Sequence, residues 1–143
     1  MAFTVCVNNK QPLFLDAATV GVFLQKLQTA MEKYHCLVLV YCFMPEHLHL
    51  IVRGQNDQAD SWQAMVQFKQ QTGFWLSQQR SKVEWQKDFY DHIIRADEDL
   101  GAQIRYVMNN PVRRGLVVRW QDYPFTGAIG VSLHSVAEGT QTL

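Results

Sequence analysis

A chain of 143 residues has room for one compact domain with a sizeable core, and 48% hydrophobic against 18% charged residues excludes a disordered polypeptide. Its 13 basic and 13 acidic residues cancel, which argues against a surface basic throughout, the usual mark of a dedicated nucleic-acid binder. The charge is unevenly spread, however. Asp97, Glu98 and Asp99 form an acidic knot, whereas residues 101–121 carry Arg105, Arg113, Arg114 and Arg119 and no acid, and local charge is what steers a phosphate backbone.

The β-branched and aromatic run AFTVCV (2–7) predicts a first strand, closed by the polar turn NNKQ and Pro12. A helix follows with Asp16 as its cap, because Val20, Phe23, Leu24, Leu27, Met31 and Tyr34 recur at helical spacing. CLVLVYCF is continuously apolar, as expected of a central strand covered on both faces. Pro45 marks a tight connection, and HLHLIVRG returns to complete a hairpin. A second helix is predicted over 61–79, with Met65, Phe68, Thr72, Trp75 and Leu76 as its apolar stripe and Gly73 inside it. VEWQKDFYDHIIR reads as extended, ending in a strand. A third helix is predicted from near Asp97 to just before Pro111, since the residue preceding a proline is pushed out of helical geometry. The remainder reads as an extended or looped tail, its last dozen residues frayed.

Cys6, Cys36 and Cys42 are odd in number and lack a C-x-x-C pair, which favours free thiols in a reducing compartment. The N-terminus shows no charged-then-apolar leader, and CLVLVYCFM is far short of the ~20 apolar residues of a membrane helix. The expectation is a soluble, cytoplasmic, single domain over 1–143. The order β-α-β-β-α-β plus a further helix predicts an α+β fold of the split βαβ, ferredoxin-like or RRM-like kind. Two helices would cover one face of an antiparallel sheet, and the third would border the other.

That other face is where MPEHLHLIV (44–52) becomes informative. Side chains at i and i+2 of a strand share a face, so His47 and His49 project together while Leu48, Leu50 and Val52 project into the core. Two neutral imidazoles so placed can bind one divalent metal, although the same pair can also be plain polar positions on a solvated face. In IRYVMNNPVRRGLV, Leu100, Ile104, Val107 and Met108 share one helical flank. Tyr106 and Asn110, four apart, stack on a side rotated away from it, just ahead of an arginine pair.

MPEHLHLIV, VEWQKDFYDHIIR and YVMNNPVRRGLV together resemble the three signature blocks of the HUH-class single-tyrosine transposases. They are most similar to the REP-associated tyrosine transposase branch of the small insertion-sequence transposase superfamily, and FTVCVNNKQPLF resembles that branch's first strand and turn. The resemblance runs from about residue 3 to 125. It implies metal-dependent cleavage and rejoining of single-stranded, hairpin-containing DNA through a 5′-phosphotyrosine intermediate. It further implies Tyr106 as nucleophile, His47, His49 and Asn110 as ligands of Mg²⁺ or Mn²⁺, and Lys69 as a basic residue on the second helix. Arg105, Arg113 and Arg114 join Lys69 as expected DNA contacts.

Elementary chemistry agrees. A phenol with a reference pKa of ~10 is a poor nucleophile at neutral pH, and a phosphodiester transition state needs its charge neutralised. No Gly-rich phosphate loop is present, as fits a reaction that conserves bond energy in a covalent link. An RRM-like binding module without chemistry is the alternative, yet HLHLIVRG offers histidines where stacking rings would stand. A zinc hydrolase using His47 and His49 lacks an obvious third strong ligand, although Glu46 is adjacent. A homodimer is expected, joined by a sheet edge and the third helix, if CLVLVYCF or the first strand lies at an edge.

Overall fold

The computed structural model describes residues 1–94 and 99–141. Five strands form one antiparallel sheet: β1 (Ala2–Cys6), β2 (Cys36–Met44), β3 (His47–Gly54), β4 (Tyr90–His92) and β5 (Thr126–Ile129), in the order β4-β1-β3-β2-β5. The first four reproduce the ferredoxin-like arrangement expected from the sequence. Two long helices, α1 (Ala17–Lys33) and α2 (Ser61–Gln79), make the crossovers. Their caps follow the sequence: Asp16 Oδ1 accepts from the Thr19 amide at 2.8 Å and Asp60 Oδ1 from the Gln63 amide at 3.0 Å.

The sheet separates two cores. Phe3, Val5, Phe43, Leu48, Leu50 and Val52 meet the buried stripes of α1 and α2, including Phe23, Leu27, Met65 and Phe68. On the opposite side, Val40, Cys42, Met44 and Ile51 meet Ile104, Val107 and Met108 of α3 (Leu100–Met108). Asp99 caps α3 by accepting from the Ala102 amide at 3.0 Å, so the helix begins later than the expected Asp97. Asp97 and Glu98 of the acidic knot, and Arg95, lie outside the described residues.

β2 carries an irregularity that alternation does not predict. Val38 pairs with Val52 and Val40 with Ile51, which leaves Leu39 extra, and Leu39 and Val40 both pack on the α3 side. Pro111 also acts differently from expectation. It stops α3 but opens a short helix, α4 (Asn110–Arg113), at whose start its missing N–H goes unneeded.

As far as Gln141, the last described residue, the tail is structured rather than looped. β5 adds to β2, with Gly127 opposite Tyr41, where a Cβ would collide with the tyrosine ring. A final helix, α5 (Leu133–Gln141), then packs beside α3. In consequence neither β1 nor β2 is an edge strand; the edges are β4 and β5. The condition on which edge pairing through β1 or β2 was expected is not met. Among the described residues, no helix is long and apolar enough to cross a membrane.

Candidate active site

β3 supplies the floor of the site. His47, His49 and Ile51 project to the α3 side, and the two imidazole centroids are 6.4 Å apart. Cross-strand neighbours set their surroundings. Met44 and Cys42, beside His47 and His49 on β2, are fully buried, whereas Cys6 and Thr4, their counterparts on β1, are only partly covered. The rings therefore stand between a sealed side and an open shelf.

Burial holds both imidazoles below the ordinary histidine range. His49 is lowered to about 4, with the neighbouring His47 and Arg113 adding to the effect. For His47 burial again dominates, opposed by the Glu46 carboxylate. Both rings are accordingly neutral at physiological pH, with a lone pair available.

Glu46 orients the first of them. Its Oε1 lies 3.2 Å from His47 Nδ1 and accepts from Arg114 Nη1 at 2.6 Å. Burial works to raise this carboxyl, but Arg114 and His47 outweigh it and keep it below its usual value. A carboxylate at Nδ1 places the ring proton there and leaves the Nε2 lone pair facing outward. Asn110 Nδ2 stands 3.3 Å from that Nε2, and a half-turn of the carboxamide would present Oδ1 instead. By sequence alone Glu46 enters only the zinc-hydrolase reading, not as the partner of His47. Its role depends on Arg114, 68 positions away, although a carboxylate next to a candidate ligand histidine was the visible signal.

Tyr106 approaches from α3 in the same chain. Its flank of α3 faces away from buried Ile104 and Met108, so the side chain is 56% exposed. Its ring meets His49 edge-on with centroids 6.2 Å apart, and the Arg113 guanidinium lies 3.7 Å above its centroid. The helix end that carries these groups is secured by Asn109 Nδ2, which donates to the Arg105 carbonyl at 2.9 Å.

The residues present would suit a divalent cation that accepts imidazole nitrogen alongside oxygen. Two neutral imidazoles, one with a carboxylate behind it, and an adjacent carboxamide form a ligand set with room for solvent or phosphate oxygens. Among the described residues no three His, Cys, Asp or Glu side chains converge, which disfavours a closed zinc site.

The expected DNA contacts divide. Arg113 and Arg114 belong to this site. Arg105 pairs with Asp99 at the start of α3, 3.7 Å away. Lys69 lies on α2, which packs against the opposite face of the sheet, and donates to the Lys87 carbonyl at 2.7 Å. Tyr90 and His92 stand exposed on edge strand β4.

The chain is similar to known proteins in both sequence and fold. A putative REP-associated tyrosine transposase of Haemophilus influenzae is 25% identical over 137 residues, spanning 87% of this chain and 76% of that protein. A REP-associated tyrosine transposase of Escherichia coli is 32% identical over 87 residues, or 58% of this chain and 48% of that longer protein. A solved structure of a REP-associated tyrosine transposase bound to a REP hairpin shares the fold, with a TM-score of 0.74 at 23% identity, over 87% of this chain and 73% of that one. The family model for IS200-like transposases matches residues 1–110. The chain belongs to the IS200-like transposase family, and its activity is that of a transposase.

Proposed function

We propose that the protein cleaves and rejoins single-stranded DNA with Tyr106 as nucleophile and His47, His49 and Asn110 as ligands of Mg²⁺ or Mn²⁺. The observation that carries this reading is the meeting, within one chain, of Tyr106 with the histidine pair and of Asn110 with His47 Nε2. When bound, the cation supplies polarisation of the scissile phosphate and neutralisation of its developing charge. Tyr106 Oη attacks phosphorus, the phosphorus–3′-oxygen bond breaks, and the DNA 5′ end remains esterified to the tyrosine. The phenol proton leaves to solvent and the departing 3′-oxygen gains one. Rejoining runs the same steps backward with a 3′-hydroxyl as nucleophile. Arg113, above the phenol ring, adds positive charge beside the phosphate. Glu46 and Arg114 hold His47 in the ligand tautomer.

The substrate is single-stranded DNA carrying a hairpin, as the hairpin-bound relative of the same fold suggests. The reading sets aside a binding module without chemistry. Tyr106 and the histidine pair meet within one chain, which favours catalysis in cis; the homodimer expected through β1 or β2 and the third helix has neither of those strands at an edge. The test is incubation with hairpin-containing single-stranded DNA and Mn²⁺, followed by denaturing electrophoresis. A protein–DNA adduct is expected from the wild type and none from Tyr106→Phe, with DNA binding kept within a few-fold because the ring retains its packing. An undiminished adduct from the Phe variant would move the nucleophile to another tyrosine, Tyr90 first.

A further inference from the structure

Beyond the reacting groups, three open concavities form a chain along one margin of the sheet. The first, about 360 Å³, begins at His47 and is bordered by Lys10, Arg114 and Gln86. The second, about 330 Å³, shares Gln86 with it and runs past Lys87 to Tyr90. The third, about 300 Å³, shares Lys87 and Phe89 with the second and ends between Lys69 and Trp62 on α2. The path thus starts at the candidate metal ligands and turns round the open edge of the sheet to its other side.

The backbone explains why this edge is open. Residue 85 pairs with Val7 and Tyr90 with Thr4, so residues 86–89 lie opposite only Val5 and Cys6. Two residues too many, this segment cannot remain in the ladder, and its side chains line the path instead. Thr4 pairs with both Tyr90 and His49, which sets Tyr90 two strand spacings, roughly 10 Å, from His49 on the same face.

The chemistry of the lining matches single-stranded nucleic acid. Tyr90 is 69% exposed and Trp62 is 45% exposed, with the Phe89 ring 4.7 Å from Trp62 and the Lys69 ammonium 5.5 Å from Phe89. Exposed rings spaced along a path are stacking platforms for unpaired bases, and interleaved cations follow the phosphates. Lys10, Arg114, Lys87 and Lys69 oppose two carboxylates, Asp88 and Glu46, and the latter is already held by Arg114 and His47. In a chain of zero net charge, this local excess is distinctive.

We propose that the single strand flanking the scissile phosphate follows this path, stacking one base on Tyr90 and another on Trp62 while Lys87 and Lys69 contact its phosphates. The proposal deepens the reading of the site given above and rests on it for the point where the strand begins. It also gives Lys69 a DNA contact remote from the histidines.

The test is the anisotropy of a fluorescent oligothymidylate of about 16 nucleotides, long enough to fill such a groove. Tyr90→Ala and Trp62→Ala should each weaken binding about ten-fold, and Tyr90→Phe and Trp62→Phe should restore most of it. Lys87→Gln and Lys69→Gln should each lower the slope of log affinity against log salt by about 0.7. Wild-type affinity in both alanine variants would overturn the proposal, as would phenylalanine variants that lose as much as the alanine ones. Adduct formation by the wild type, measured in parallel, separates the two readings. Adducts with no effect at Tyr90 and Trp62 sink the path alone; ring-dependent binding without adducts sinks the chemistry and leaves the path standing.

Discussion

The two faces of the sheet are made of the same five strands yet solve different problems. Under α1 and α2 the chain packs aromatic rings edge to face: Phe14 meets Phe23 at 5.0 Å and Phe43 at 4.9 Å, and Trp75 and Trp85 both reach Phe23 within 6 Å. Its polar groups are closed upon one another; buried Thr72 Oγ1 donates to the Phe68 carbonyl at 2.7 Å and accepts from Trp85 Nε1 at 2.8 Å. The α3 face is packed mainly by aliphatic and sulfur side chains beside the Tyr123 ring, and it covers β1 only at Ala2, leaving neutral imidazoles, a carboxamide and a phenol beside partly covered Thr4 and Cys6. One face carries stability and the other is left free to hold reacting groups.

The widest separation should come from core truncation against site truncation. Phe23→Ala removes a fully buried ring that touches Phe14, Phe68, Trp75 and Trp85, and should cost about 3–5 kcal/mol in urea unfolding. His47→Ala or His49→Ala should abolish adduct formation while lowering stability by about 1–2 kcal/mol, well below Phe23→Ala, since each imidazole is only partly covered and lies outside both apolar clusters. A histidine variant as unstable as Phe23→Ala would make the pair a structural element and break the contrast.

Glu46→Gln sharpens it on the site side. The amide keeps the shape but loses the charge that fixes the His47 tautomer, so Mn²⁺ affinity measured by calorimetry should fall about 10–100-fold with folding unchanged. Unaltered Mn²⁺ binding would confine Glu46 to its ion pair with Arg114. On the closed side, Thr72→Val keeps the volume and strands the Trp85 N–H, at a cost of about 1–3 kcal/mol and no loss of adduct in the folded fraction.

This division was largely legible in the sequence. Period-two alternation at 47–52 and helical periodicity at 20–34 and 61–79 assigned residues to faces, because each element has one buried side whose apolar residues must recur with its own geometry. The helical phase of Leu100, Ile104, Val107 and Met108 set which flank of α3 packs on the sheet, whereas the pairing of Tyr106 with the histidines came from the family resemblance. The missed parts share a cause: they depend on long-range contacts. β5 is TGAI, half-buried throughout and without alternation, and it is a strand because β2 offers it a free ladder edge and Tyr41 requires a glycine opposite. The extra residue at Leu39 leaves a continuously apolar run looking unchanged. Lys69 and Arg105, expected as DNA contacts, lie away from the histidines, where Lys69 donates to the Lys87 carbonyl and Arg105 pairs with Asp99, a placement that local charge does not reveal.

The smallest expected effect lies where the two faces meet the tail. Phe43 pairs with Leu48 on β3, and its amide turns toward the β5 side, donating to the Phe125 carbonyl at 3.0 Å. In a strand the N–H and C=O of one residue point to the same edge, so the Phe43 carbonyl also needs a partner there. β5 begins only at Thr126, and the Tyr123 hydroxyl takes the place of the absent strand, donating to that carbonyl at 2.6 Å in a buried setting. Tyr123→Phe keeps the ring, which packs edge-on to Phe125 with centroids 5.6 Å apart, and removes only the donor. The loss should be about 1 kcal/mol in urea unfolding, with wild-type adduct yield at temperatures where the variant is folded. A much larger loss, accompanied by loss of adduct, would mean that the tail holds α3 and Tyr106 in register with the histidines, and that the open face depends on β5 as strongly as the closed face depends on its rings.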